Sequence, residues 1–257
     1  MISFYVEVIV FLLGLCIGSF LNVCIYRLPL SKPIPKPSRS VCPDCGSIIR
    51  FYDNIPVVSY LLLKRRCRHC GFIIPFRYPL VEISGGLFAL LILKQFGLSL
   101  YSFVYFVFIA VLIVVTFIDL DHRIIPDVIT LPGIPIFFGL AFLLPESDWV
   151  NSVLGILVGG GSLLTVAWVY ALLTGKEGMG GGDIKLLAMA GALVGWKGVL
   201  FTIFVSSAAG ALIGIILMLR TRKGLKLAVP FGPFIALGAV VYVFFGPVLI
   251  NWYFNLL

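Results

Sequence analysis

The run SLYSFVYFVFIAVLIVVTFIDLDH (99–122) decides what kind of molecule this is. Its first twenty residues, 99–118, carry no charged side chain. A helix of about 20 apolar residues is what it takes to cross the hydrocarbon core of a bilayer. The run then stops abruptly on Asp119-Leu120-Asp121-His122. The rest of the chain is built alike: of 257 residues, 61% are hydrophobic and 12% charged, where soluble domains carry about 25% charge. One core cannot absorb that much apolar surface, so a soluble globular enzyme is excluded. Aromatic residues at 14% and no low-complexity tract exclude a disordered or fibrous chain.

Working outward from that run, the charges cut the chain into further apolar stretches at 8–26, 83–93, 128–145, 149–175, 186–196, 198–219 and 227–257. The two short ones reach spanning length by taking in Glu82, Lys94 and Lys185 at their ends, where long side chains snorkel. The pattern predicts an all-α polytopic membrane protein with about eight transmembrane helices, near 4–26, 79–97, 99–118, 128–144, 150–173, 183–196, 198–219 and 229–251. The first stretch lacks the basic start and small-residue cleavage site of a signal peptide, so a retained helix is expected.

The net charge is +8. With eight spans, seventeen basic residues fall on one side and only Lys94 and Lys197 on the other, which also holds the acidic turn around Glu146 and Asp148. The positive-inside rule then predicts both termini outside and residues 27–79 in the cytoplasm. The bias reports topology, and no nucleic acid is expected as partner. The expected division is a first transmembrane helix (1–26), a Cys-rich cytoplasmic loop domain (27–79) and a membrane core of about seven helices (80–257). The loop carries ten basic and two acidic residues, a charge suited to anionic lipid headgroups of the bilayer.

That loop opens Pro-rich, at Pro29, Pro33, Pro35 and Pro37, which predicts an extended lead-in. Two C-x-x-C pairs follow, Cys42/Cys45 and Cys67/Cys70. Each such turn presents two thiolates to one ion, and two turns complete a tetrahedral site, so a small zinc-ribbon-like domain is expected. Gly46 and Gly71 follow the second cysteine of each pair, where a knuckle needs positive φ. Four protein ligands leave no open position, so the zinc reads as structural. Disulfides are the alternative, disfavoured in a reducing compartment. His69 is expected to be exposed, Cys16 and Cys24 to be buried apolar filler, and no internal repeat is evident.

Carboxylates at membrane depth are functional candidates by default. Two clusters share the predicted cytoplasmic face: Asp119, Asp121 and Asp127 after the third span, and Gly180-Gly181-Gly182-Asp183 before the sixth. Two aspartates brought together share one proton, because like charges a few Å apart do not both ionise. Such a pair activates water and protonates a leaving amine, the chemistry of peptide hydrolysis. Gly180 and Gly182 in the active-site loop let an extended peptide approach the backbone. Helix position makes Asp183 the base, at a helix N-terminus, and Asp119, at a C-terminus, the holder of the shared proton. The bland readings are an N-cap for Asp127 or Asp183, a surface pair of Asp121 with Arg123, and a Glu82–Arg77 pair.

These residues resemble the type IV prepilin peptidases, membrane aspartyl proteases with a GxGD signature. The likeness runs in order through Gly18-Ser19-Phe20-Leu21-Asn22-Val23, Tyr26-Arg27-Leu28-Pro29, the paired C-x-x-C loop, Arg77-Tyr78-Pro79-Leu80-Val81-Glu82, Asp119-Leu120-Asp121-His122, Ile125-Pro126-Asp127 and Gly178-Met179-Gly180-Gly181-Gly182-Asp183-Ile184-Lys185-Leu186. The resemblance implies a bacterial inner-membrane enzyme that cuts the basic leader from type IV prepilins and pilin-like type II secretion subunits. It implies Asp119 and Asp183 as the catalytic pair. For members with the cysteine loop it also implies N-methylation of the new terminus with S-adenosylmethionine, for which the loop and Glu82 are the expected place. Two rival readings stand beside it: a Mg²⁺-dependent phosphoryl or prenyl transferase on Asp119, Asp121 and Asp127, and a zinc-bearing scaffold or proton-coupled transporter.

Overall fold

A computed structural model describes residues 2–37, 39–145, 148–175, 180–221 and 229–254. Among them there is no β-strand, and the helices are α1 (Ile2–Arg27), α2 (Val58–Leu62), α3 (Arg77–Phe96), α4 (Leu100–His122), α5 (Asp127–Ala141), α6 (Trp149–Thr174), α7 (Gly181–Thr221) and α8 (Gly232–Phe254). α1, α3, α4, α6 and α7 are long and apolar enough to cross a membrane, and the protein is an all-α polytopic membrane protein. Large apolar side chains such as Phe4, Phe103, Leu173 and Phe204 stand exposed along them, the reverse of a water-soluble fold.

α7 has 41 residues, about 61 Å at 1.5 Å per residue and twice the roughly 30 Å hydrocarbon thickness. It is two helices joined end to end at a kink. The join is Gly195, at φ 70°, ψ 178°, conformations that only glycine adopts freely. This matches the expected helices at 183–196 and 198–219. α5 is shorter than expected: it stops at Ala141 after 15 residues and carries Pro132 and Pro135 inside. The basic residues Lys176, Arg222, Lys223 and Lys226 used for topology, and Glu146, lie outside the described residues.

The chain packs into two compact units, residues 1–114 and 115–257, with the boundary falling inside α4. In the first, α1 lies against α3 through small residues. A Cβ built on Gly14 would lie 2.6 Å from Gly85 O, and one on Gly18 would lie 2.6 Å from Glu82 Cα. In lipid there is no hydrophobic force between helices, so close backbone approach supplies the packing. At the other end of the pair, Lys94 Nζ sits 3.8 Å from Glu7 Oε2. The second unit repeats the device: a Cβ on Gly159 in α6 would meet Leu187 O of α7 at 2.6 Å.

The Pro-rich lead-in does not run extended as the prolines suggest. It folds back around the end of α1, where the buried Arg27 guanidinium donates to the carbonyls of Pro33 at 3.4 Å, Ile34, and Pro37 at 2.9 Å. Three carbonyls and one fixed cation outweigh the intrinsic stiffness of the prolines. Cys24 is buried as expected, but Cys16 is exposed.

Candidate active site and metal centre

Each cysteine pair is held by local backbone bonds of one pattern. Cys42 N–H donates to Ser47 O at 2.9 Å and Gly46 N–H to Cys42 O at 3.0 Å. Twenty-five positions on, Cys67 N–H donates to Phe72 O at 2.8 Å and Gly71 N–H to Cys67 O at 3.0 Å. Gly46 and Gly71 have φ of 68° and 74°, as the knuckle requires. Single β-bridges, Val41 with Ile48 and Arg66 with Ile73, close the two turns. Residues 40–49 and 65–74 are therefore one short motif used twice. The sequence reading missed the repeat because the two copies share only the cysteines, the glycine and two isoleucines.

All four thiols are free, and their sulfur atoms lie within 4.8 Å of one another. The cluster is able to hold a metal ion. Cys45 is lowered to about 6 by the Ser47 hydroxyl and the Ser47 backbone N–H. The backbone N–H groups of Cys70 and His69 lower Cys67. The Phe72 N–H favours the Cys70 thiolate, yet burial and the three neighbouring sulfurs push Cys70 up to about 12. Four thiols this close do not all ionise without a cation among them. Beside them Arg68 clamps Asp53 with two hydrogen bonds, 3.0 and 2.6 Å, and holds that carboxyl below the usual carboxylate range. His69 is exposed, as expected.

In the second unit, Asp119 sits in the last turn of α4 and is 5% exposed. Arg123 closes that helix in a left-handed conformation at φ 56°, its N–H donating to Asp119 O at 2.9 Å. The chain then turns through Ile125 and Pro126 into α5. Asp183 lies in the first turn of α7 and its N–H donates to Gly180 O at 3.2 Å. The two carboxylates are near enough to interact electrostatically. Ile125 packs beside both residues' neighbours: a Cβ on Gly182 would meet Ile125 Cβ at 2.8 Å, and one on Gly232 would meet Ile125 Cδ1 at 3.1 Å. Gly180 has open space around it, whereas Gly182 is needed for this approach. Gly178 and Met179 lie outside the described residues.

One residue of this site escaped the sequence reading. Gly232, the first residue of α8, donates its N–H to Asp119 Oδ2 at 3.0 Å. A Cβ there would stand 2.6 Å from the same oxygen. Its signal was Pro230-Phe231-Gly232-Pro233, a Gly-Pro step opening an apolar run, which marks a helix start but says nothing of which carboxylate it faces.

Asp127 does not cap α5. Pro126 holds the N-cap position, and both Asp127 oxygens accept from Lys185 Nζ, at 2.7 and 2.8 Å. Asp121 is exposed on α4. In the first unit, Glu82 lies on α3. It is 8% exposed and its Oε2 accepts from the backbone N–H of Val57 at 2.7 Å. Val57 has φ 61°, a strained conformation for a β-branched residue.

Residues 12–96 match the family model for the bacterial peptidase A24 N-terminal domain, and residues 106–215 match that for the type IV leader peptidase family. A prepilin leader peptidase/N-methyltransferase of Pseudomonas putida is 38% identical, over 91% of this chain and 88% of its own. Proteins of the same name from Myxococcus xanthus and Pseudomonas aeruginosa are 41% and 38% identical, over 84% and 91% of this chain and 64% and 89% of their own. No solved structure matches. Identity at this level across nearly the whole length, with both family models falling in chain order, places the chain in the prepilin leader peptidase/N-methyltransferase family.

Proposed function

We propose that this enzyme removes the basic leader from type IV prepilins and pilin-like secretion subunits, and then methylates the α-amine it exposes. The relatives' name carries both activities. The observation that carries the peptidase half is the approach of Asp183, in the first turn of α7, to Asp119, in the last turn of α4. These two are the catalytic pair. Asp121 and Asp127 are not part of it, and Asp127 spends both oxygens on Lys185, which leaves the Mg²⁺-transferase reading short of ligands.

The substrate arrives as a membrane helix with its leader in the cytoplasm. Gly180 leaves room for its extended backbone, while Gly182 lets Ile125 pack close beside the loop. One aspartate, ionised, takes a proton from water. The other, protonated, hydrogen-bonds the scissile carbonyl, and a proton then passes to the leaving amine. The helix-dipole argument that separated the two roles cancels. Asp183 is at the N-terminus of α7, and Asp119 receives an N–H from the N-terminus of α8. The pair is best written as sharing one proton, with roles exchanged through the cycle.

The chain lies in the bacterial inner membrane with 27–79 and both aspartates on the cytoplasmic side and both termini outside, on the positive-inside argument. Its division is a first helix at 1–26, a cysteine loop domain at 27–79 and a peptidase core at 80–257. The ion in the loop is zinc. Tetrahedral zinc at about 2.3 Å from sulfur sets sulfurs about 3.8 Å apart, and Cys42 and Cys70 Sγ stand at 3.8 Å. Zinc there has four protein ligands, Cys42, Cys45, Cys67 and Cys70, and supplies fold stability. S-adenosylmethionine supplies the methyl group.

Mass spectrometry of a co-expressed prepilin tests the whole reading. Wild type yields shortened, methylated pilin. Asp119→Ala yields the full-length precursor, a loss of at least about 10²-fold in rate. Cys42→Ser yields shortened pilin with less methyl. Cleavage by Asp119→Ala would end the peptidase assignment.

A further inference from the structure

The loop domain carries an apolar face that its own fold leaves uncovered. α2 turns Ser59, Tyr60 and Leu63 inward, onto a cavity whose wall also holds Asn22 and Glu82. Val58, Leu61 and Leu62 stand at i, i+3 and i+4, which is one face of a helix. They are 48%, 67% and 77% exposed, and none of them lines the cavity. Aliphatic side chains grouped in the open mark a surface that meets something apolar. Two bonds show what lies next to it. Val57, just before α2, donates its N–H to Glu82 Oε2 at 2.7 Å. Glu82 is in the second turn of α3, a helix of 20 residues that is long and apolar enough to cross a bilayer. Beyond α2, Ile74 N–H donates to Arg65 O at 2.8 Å, and α3 begins three residues after Ile74. α2 is therefore pinned at both ends to the level where α3 enters the membrane. Val57, Lys64 and Arg65, which flank it, have φ of 61°, 49° and 65°. Residues other than glycine keep that conformation only where their surroundings fix it. Lys64, Arg65 and Arg66 follow the apolar face directly. All three are exposed, and none is in an ion pair among the described residues.

We propose that α2 and the turn after it are an interfacial membrane anchor. Val58, Leu61 and Leu62 enter the boundary between headgroups and acyl chains, and Lys64, Arg65 and Arg66 meet anionic headgroups of the same leaflet. The occupant is lipid because the face sits where a spanning helix enters the bilayer, and because aliphatic side chains next to unpaired cations match an anionic leaflet. Charge alone would give a loose attraction; the apolar face adds insertion. Five helical residues would not hold a free peptide on a bilayer. Here α1 and α3 already keep the loop at the surface, so docking is an intramolecular step and a small apolar area suffices. The loop domain is then fixed against the leaflet rather than swinging on two tethers. The inference needs only that α3 crosses the bilayer, and it stands apart from the peptidase and methyltransferase readings.

The full-length protein is placed in nanodiscs of phosphatidylcholine, with or without phosphatidylglycerol. A photoreactive benzophenone amino acid is put in place of Leu62, and its adducts are identified by mass spectrometry. In parallel, trypsin is used without the probe, since Lys64, Arg65 and Arg66 are themselves its cleavage sites. Bound metal and prepilin cleavage report that each preparation is folded. The expected adduct at position 62 is lipid, at least about threefold more abundant when phosphatidylglycerol is present. Tryptic cutting after residues 64–66 should slow at least about tenfold in the anionic discs. Leu61→Ser combined with Leu62→Ser should restore fast cutting. Lys64→Gln, Arg65→Gln and Arg66→Gln together, with the probe at 62, should abolish the preference for the anionic lipid. No lipid adduct at 62 overturns the anchor. So does an adduct to a second copy of the chain, or to added prepilin in preference to lipid, since the face would then be a protein interface. Equal adduct and equal cutting in the two kinds of disc overturn the pairing of the cations with headgroups, and the proposal with it.

Discussion

Residues 40–49 and 65–74 reach their form through bonds that span at most nine positions, whereas Asp119 meets the N–H of Gly232 113 residues along the chain. The first region is a pair of short turns with almost no apolar core, and Cys42 is its one buried cysteine. Its stability has to come from an ion, since so small a loop buries too little surface to hold itself. The second is set by helices whose glycines let backbones touch, and its chemistry depends on two side chains and one backbone N–H arriving from three helices. The contrast teaches where each part is vulnerable. The knuckles fail when one ligand is lost, and the aspartate site fails when packing shifts by an ångström.

The largest expected effect separates the two regions outright. Cys67→Ser, or chelation of wild type with EDTA, strips the ion and opens residues 40–74 to proteolysis, because structural zinc contributes about 10–16 kcal/mol in small domains. Metal analysis and protease mapping read this directly. Cleavage of prepilin continues if the regions are independent, so its disappearance in EDTA would break the comparison and revive a catalytic metal.

A smaller effect probes the other side. Gly232→Ala puts a Cβ 2.6 Å from Asp119 Oδ2 and displaces the carboxylate or the helix. A misplacement near 1 Å costs about 10²-fold in rate, so kcat should fall by that order with metal content and donor binding untouched. Gly214→Ala is the control: a Cβ there meets nothing within 4 Å, and the rate should stay within about twofold. Equal losses in both would mean that Gly232 acts only as a generic helix-packing glycine.

The smallest effect is the Asp53–Arg68 clamp. Arg68 holds the Asp53 carboxyl below its ordinary value, so the pair adds stability above the usual aspartate range, near about 4. That stability is lost as pH falls through the lowered folded value. The Arg68 end of the pair is half exposed and screened by solvent, so Asp53→Asn should lower the thermal midpoint by no more than about 1–2 °C at neutral pH. The gap between variant and wild type should close in acid. A gap that is the same at both ends of the range would show that the clamp acts through packing rather than charge.

How much of this was legible beforehand depends on the range of the interaction involved. The length of charge-free runs foretold the broken helix at Gly195, because membrane thickness acts on local sequence. The C-x-x-C-Gly spacing foretold both knuckles down to the sign of φ at Gly46 and Gly71. The expected cap for Asp127 did not hold, and Glu82 makes a bond that the sequence did not suggest. Each finds a partner distant in sequence, Lys185 at 58 positions and Val57 at 25, where a neighbouring residue had looked sufficient. Asp119 and Asp183 stood out only because charge is rare in a membrane, and nothing local said that Gly232 would complete their surroundings.

Sequence alone determined the membrane class and the cysteine cluster, and it singled out the aspartates as candidates. Each follows from forces that act along a few turns of chain: hydrophobic length, thiolate spacing and the cost of charge in lipid. Tertiary structure alone decided that Gly232 clamps Asp119, that Lys185 occupies Asp127, and that Asn22, Tyr60 and Glu82 share one cavity wall. Those facts depend on which helices pack together. In lipid that is settled by close contact between small residues spread over the chain, and no window of sequence contains both sides of such a contact.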